Sequence, residues 1–404
     1  MTTEPAAPRV ARPPADFLSE KVRSLKPSGI RRFFDMLAEM KDVISLSIGE
    51  PDFTTPEPIT RAAIASLEAG ETHYTANGGM VELREAIVAD LQHRYGLAYD
   101  PRGELIITVG ASEAVDASLR AICDPGDEVI YHEPSFVAYA PCITLAGGVP
   151  IPIATGDATD FRITAAMLEA AITPRTKALF LGYPNNPTGA VLDRDELEAI
   201  AAVVERHDLL VVSDEIYERL VYGGHEHVPF SSLPGMRERT VLIGGFSKSY
   251  AMTGWRIGWV AAPASLMTGI AKVHQYGIMC APTVAQFAAL EALRIGEPFV
   301  AEMHAEYDRR RQLTTRRFNE MGLRCFEPRG AFYCFPNIGG TGMDDETFAQ
   351  QLLREERVAV VPGTAFGPSG AGHVRACYAT AYEQLAEALD RIERFVGRHR
   401  TGGS

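Results

Sequence analysis

KALFLGYPNNPTGAVLDRDELEAIAAVVERHDLLVVSDEIY, residues 177–217, spells strand, turn, helix and strand in one pass. Its first apolar run, through Leu181, is short and closed by Gly182 and Pro184, residues that stop a strand. Asp193 can cap the next segment, with Glu196 three residues on, and Leu197, Ile200, Ala201 and Val204 share one helical face. Leu209–Val212 is a second continuous apolar run, and it ends in charge at Asp214. Unbroken apolar strands alternating with helices imply an α/β fold, a mainly parallel sheet covered on both faces. In such sheets ligands bind beyond the carboxyl ends of the strands.

The same grammar extends outward. ELIITVG (104–110) runs into a segment with apolar residues at Val115, Leu119 and Ile122, and DEVIYHEPSF (127–136) is a strand with a proline stop. TVLIGGFSK (240–248) and RIGWVAAP (256–263) supply two more strands. Polar motifs follow the strand ends at Gly110–Ser112, Asn185–Gly189, Asp214–Tyr217 and Ser247–Lys248, so they converge on one crevice. After about residue 290 long charged helices take over, followed by the strand-like GAFYCFP and VAVVPG and an amphipathic helix at 382–396. The expected layout is a tail at 1–16, a segment at 17–48 packing with the smaller domain, a large domain at 49–290, a small domain at 291–398 and a tail at 399–404.

At 404 residues the chain is long for a single core. A net charge of −13 counts against broad binding to nucleic acid or anionic membranes, while leaving small anions open. Six scattered cysteines without a C-x-x-C pair read as reduced thiols of a cytoplasmic protein. The first residues lack the apolar core of a signal peptide, and no apolar run reaches membrane-spanning length. The histidines of GGHEHVPF (223–230) read as solvated loop residues, because no third metal ligand accompanies them. No glycine-rich stretch follows the dinucleotide pattern.

Lys248 is the residue to explain. It follows a strand and GGFS, between two serines and close to Tyr250 and Trp255. Desolvation there lowers an amine's pKa and makes it nucleophilic. A nucleophilic lysine among phosphate-binding groups is the chemistry of a pyridoxal phosphate Schiff base. The other groups are at hand. Gly110, Ala111 and Ser112 form a strand-to-helix turn whose free N–H groups can receive a phosphate, and the Arg256 guanidinium suits its oxygens.

SLSIGEPDF, HYTANGGMVELREAI, TVGASEA, EPSFVAY, YPNNPTG, SDEIYERL, SKSYAMTGWRIGW, GAFYCFP, VPGTAFG and HVRACYAT follow one another between residues 45 and 380. In this order they resemble the class I/II aminotransferases of the fold-type I pyridoxal 5′-phosphate family, in the branch of aspartate, alanine and aromatic aminotransferases. The resemblance implies a seven-stranded, mainly parallel sheet in the large domain and a smaller α+β domain. It makes Lys248 the Schiff-base lysine and general base, and Asp214 the partner that keeps the cofactor's ring nitrogen protonated. Tyr217 and Asn186 become donors to its 3′ oxygen, and Phe136 the aromatic stacked on its ring. Gly110, Ala111, Ser112, Ser247 and Arg256 take the phosphate.

For the substrate, the resemblance makes Arg375 the clamp on the α-carboxylate, helped by the Gly49 N–H and by Asn186. Tyr74 reaches the phosphate of a neighbouring subunit, which implies a homodimer. Two positions depart from the pattern: Tyr139 stands where some members carry a histidine, and Gly245 where some carry a phosphate-binding serine. The implied activity is ping-pong transfer of an amino group from an L-amino acid to a 2-oxo acid, with 2-oxoglutarate the expected acceptor. The alternative is a C–S lyase or related synthase on the same fold. Ile30–Phe34 is expected at the substrate mouth, with Arg31 or Arg32 available to a distal carboxylate.

Overall fold

A computed structural model describes residues 17–25, 40 and 42–400. Strand β1 (Ile44–Ser45) stands apart from the main sheet. That sheet is built from β2 (Leu105–Thr108), β3 (Glu128–Glu133), β4 (Val149–Ala154), β5 (Thr176–Leu181), β6 (Leu210–Asp214), β7 (Thr240–Gly245) and β8 (Gly258–Ala261), in the order β2-β8-β7-β6-β5-β3-β4. Neighbours from β4 to β7 pair in parallel. Strand β8 is the single reversed member, antiparallel to both β2 and β7.

Helices α1 (Glu57–Glu68), α2 (Val81–Tyr95), α3 (Gly110–Ile122), α4 (Tyr139–Ala146), α5 (Ala165–Ala171), α6 (Arg194–Arg206), α7 (Ala264–Gly277) and α8 (Thr283–Ile295) surround this sheet. Alternate strand residues point to opposite faces. Phe180, Val212, Ile243 and Val260 therefore pack with α3, α4 and α7 on one side. On the other, Leu179 and Val211 pack with α5 and α6, while Ile107, Leu242 and Trp259 pack with α1, α2 and α8. Burial on both faces is why β3 and β6 carry almost no exposed position. The start expected for α6 is there: the Glu196 carboxylate accepts the Asp193 N–H at 2.9 Å, closing a capping box.

A second core gathers the C-terminal elements: α9 (Glu297–Glu320), β9 (Tyr333–Cys334), α10 (Asp345–Glu356), β10 (Val358–Ala359), β11 (Val361–Pro362), β12 (Val374–Cys377) and α11 (Tyr382–His399). Strands β11, β12 and β9 make a small antiparallel sheet. The change of core falls inside α9, where Val300 packs toward the large sheet and Met303 toward the C-terminal cluster. The N-terminal segment divides in two. Strand β1 pairs in parallel with β10 and Leu46 joins the C-terminal core, whereas the short helix Glu20–Ser24 lies beside α4 of the large sheet.

At the other end, α11 continues through His399, where a tail was expected. His399 meets Glu355 at 3.2 Å and Arg400 donates to the Met321 carbonyl, contacts that hold the last turn down. Among the described residues no helix is long and apolar enough to cross a membrane. The expected residues at the substrate mouth, Ile30–Phe34, lie outside the described residues.

Candidate active site

The carboxyl ends of β2, β3, β5, β6 and β7 open into a cavity of about 490 Å³. Because β8 runs backward, its beginning reaches the same edge and carries Arg256 there. Ala111, Ser112, Phe136, Asn186, Asp214, Tyr217, Ser247, Lys248 and Arg256 line the cavity from the sheet side, and Gly49, Tyr333 and Arg375 line it opposite.

Asp214 ends β6 and is buried. Its carboxylate accepts from the Tyr139 hydroxyl at 3.0 Å and from the Ile216 N–H at 3.2 Å. Burial pushes its pKa up to about 6, against the pull of those two hydrogen bonds. Tyr139, at the position where some members of the resembled family carry a histidine, thus fills the place beside Asp214. Among the described residues no lysine or arginine forms an ion pair with this carboxylate. A buried carboxylate without a cation calls for one.

Lys248 is half-buried, and its Nζ donates to the Gly49 carbonyl at 2.7 Å. Burial lowers its pKa to about 8, so near neutral pH far more of the amine is unprotonated than in a solvated lysine. Tyr217 lies 5.7 Å from Nζ by its ring centroid, and its hydroxyl is 2.7 Å from that of Tyr333. Burial first, and Tyr333 second, push the Tyr217 phenol well above its usual range. The Gly49 carbonyl thus joins the site through Lys248, beside the N–H expected to meet the substrate carboxylate.

Gly110 opens α3 at φ +71, and no side chain caps the first turn. A Cβ at residue 110 would lie 2.6 Å from Arg256 Nη2, so only glycine lets the guanidinium rest on this turn. Arg256 is exposed at the rim and donates to the Thr253 carbonyl at 2.9 Å. Glu113, one residue past Ser112, turns away and accepts from the Val109 N–H. The helix end and guanidinium together make an anion seat.

Arg375 is buried, donates from Nη1 to Asn186 Oδ1 at 2.9 Å and from Nη2 to the Ser47 carbonyl at 2.5 Å, and leaves Nε without a partner. The rings of Tyr333 and Phe366 lie 4.6 Å and 4.8 Å from its guanidinium carbon. The structure brings the sequence-derived site residues to this cavity, with Gly110 just behind Arg256, except Tyr74, which stands exposed elsewhere on the surface. Tyr333 and the Ser47 carbonyl are the additions; GAFYCFP marked the first only as a motif, and no side-chain pattern marks a carbonyl.

The GGHEHVPF histidines differ from expectation. His227 meets the buried Glu215 carboxylate at 2.6 Å, and Glu215 also accepts from the Ser213 hydroxyl and the Phe230 N–H. The loop is therefore tied down one residue from Asp214, while His225 lies 3.3 Å from Asp193. Among the described residues no group of three or more His, Cys, Asp or Glu could hold a metal.

A buried carboxylate without a cation, a half-buried amine, a glycine-lined anion seat and a free Nε suit a flat cationic ring with a phosphate arm and a substrate carboxylate. Residues 41–392 match the family described as aminotransferase class I and II. The chain is 52% identical to the putative aminotransferase YugH of Bacillus subtilis, over 95% of this chain and 99% of that one. It is 47% identical to an aspartate aminotransferase of Pyrococcus abyssi, over 94% and 98%. The crystal structure of an aromatic aminotransferase from Pyrococcus horikoshii superposes with a TM-score of 0.87 at 47% identity, over 91% of this chain and 99% of that one. Together with the cavity, these matches establish that the chain belongs to the class I and II aminotransferases and is a pyridoxal 5′-phosphate enzyme.

Proposed function

We propose that the enzyme takes the amino group of an aspartate-, alanine- or aromatic-type L-amino acid and passes it to a 2-oxo acid, 2-oxoglutarate in the first instance. The reading is carried by the half-buried Lys248 amine, held 2.7 Å from the Gly49 carbonyl in one cavity with Asp214 and Arg375. Names of relatives support the substrate range, since aspartate and aromatic aminotransferases both stand close to this chain.

Pyridoxal phosphate, when bound, supplies an electron sink for the charge that develops at the substrate Cα. Arg375 grips the α-carboxylate with two N–H groups oriented by Asn186 and Ser47. Lys248, lowered to about 8 by burial, takes the Cα proton on Nζ. Asp214 holds a proton on the ring nitrogen, and the Tyr139 hydroxyl keeps its carboxylate in place. Tyr217 and Asn186 donate to the 3′ oxygen, and Phe136 stacks on the ring. Gly110, Ala111, Ser112, Ser247 and Arg256 hold the phosphate, with Gly49 beside the substrate carboxylate.

Tyr74, exposed with Tyr276 and Met279, serves the cavity of a second copy, so the working form is a cytoplasmic homodimer. The two cores correspond to a large and a small domain. The test is to feed the purified holoenzyme single amino acids with 2-oxoglutarate and measure glutamate. Turnover that continues without an acceptor, releasing ammonia and a 2-oxo acid, would replace this reading with the lyase one.

A further inference from the structure

We propose that Tyr333 is a positioning residue that couples the substrate clamp to the cofactor's 3′ oxygen by way of Tyr217. This rests on the reading of Tyr217 as donor to that oxygen. Tyr333 is fully buried on β9, in the small C-terminal sheet, yet it faces the cavity. Its hydroxyl is 2.7 Å from the Tyr217 hydroxyl, on the far wall. Its ring lies 4.6 Å from the Arg375 guanidinium carbon. A Cβ on residue 49 would collide with the same hydroxyl, so Gly49 leaves the space it occupies.

Proton counting gives the pair a direction. Each phenol has one proton to donate. A Tyr217 that donates to the cofactor has none left for Tyr333, and must accept from it. The chain then runs from Tyr333 to Tyr217 to the 3′ oxygen, and accepting a hydrogen bond makes Tyr217 the stronger donor. The ring does separate work: it presents a π face to Arg375 while that residue's Nε waits unpaired. One side chain thus serves the cofactor with its hydroxyl and the substrate carboxylate with its ring.

Tyr217's donation matters most where the 3′ oxygen's negative charge is least compensated, on the alkaline side of the bound cofactor's titration. Weakening it therefore moves the midpoint up. The experiment follows the visible absorbance of holoenzyme against pH for wild type, Tyr217→Phe, Tyr333→Phe and Tyr333→Leu, with KM for the amino acid measured alongside. Tyr217→Phe gives the largest upward shift. Tyr333→Phe shifts the midpoint up by about half a pH unit, a fraction of one hydrogen bond, with KM within about twofold because the ring remains. Tyr333→Leu adds a rise in KM of about fivefold. A Tyr333→Phe enzyme that titrates like wild type while Tyr217→Phe shifts overturns the coupling alone. A midpoint unmoved in both overturns the Tyr217 assignment, and the coupling with it.

Discussion

The two walls of the cavity treat charge in opposite ways. The wall built on the seven-stranded sheet holds groups pushed toward neutrality: Asp214 raised to about 6 and Lys248 lowered to about 8, each chiefly by burial. The wall built on the small antiparallel sheet holds Arg375, a guanidinium that stays charged. Two acceptors and two aromatic faces compensate it. A fully covered sheet offers low dielectric at its strand ends, which suits groups that change protonation state. Arg375 instead takes its acceptors from outside its own sheet, Asn186 beyond β5 and Ser47 beyond β1, which suits a group that must keep its charge.

The hardest blow to this contrast falls on the first wall. Lys248→Ala is expected to lower kcat by more than about a thousandfold, with partial rescue by an added primary amine; near-normal turnover without amine would remove the lysine from the chemistry. Asp214→Asn sharpens the dielectric side of the argument. In cofactor-free protein the folded carboxyl titrates near 6, above its ordinary 3.8. Stability from its protonated form is full below the lower value and is lost as pH rises through the upper one. The variant should therefore match wild type at pH 4 and exceed it at pH 8 by up to roughly 3 kcal/mol, as read by thermal unfolding. Equal differences at both pH values would show that burial does not govern this group. In the holoenzyme the same change should cut kcat about a hundredfold.

Arg375→Lys probes the second wall. A lysine cannot reproduce the fork held by Asn186 and Ser47. KM for the amino acid should rise about 10- to 100-fold, with cofactor affinity unchanged, measured by equilibrium dialysis. The smallest effect is expected at the anion seat, where Gly110→Ala should weaken cofactor binding about tenfold, since the new methyl meets Arg256 at 2.6 Å and φ is +71. A wild-type affinity there would mean that Arg256 moves freely on the turn.

Legibility in the sequence follows the same division. Strands β3, β5 and β6 each contain a continuous apolar run of three or four residues with turn signals behind it, so the groups that follow each run could be placed at one edge from pattern alone. Strands β9 and β11 are two residues each and show no period, so Tyr333 carried no local sign of facing the cavity. Arg375 was legible as a motif residue, but its Ser47 partner is 328 positions away and contributes only a carbonyl. His227 misled because a glycine-flanked loop reads as solvated; its burial comes from Glu215, a tertiary contact that spacing cannot show. Tyr139 could be noted as a departure, whereas its hydroxyl on Asp214 needed coordinates.

The reversal of β8 has a further meaning. Gly245 and Gly258 stand opposite each other in the β7–β8 pairing, so Lys248 and Arg256 belong to one closed hairpin loop. That loop acts as a caliper: its two jaws are the amine and the phosphate-facing guanidinium, and its rivet is a glycine pair. Loop length helps set the gap between the jaws, beside the Gly49 carbonyl that holds the amine and the Gly110 turn that seats the guanidinium, since lengthening the loop leaves the sheet register untouched. Inserting one residue between 249 and 255 would therefore change the size of molecule the caliper measures while the rest of the instrument keeps its shape.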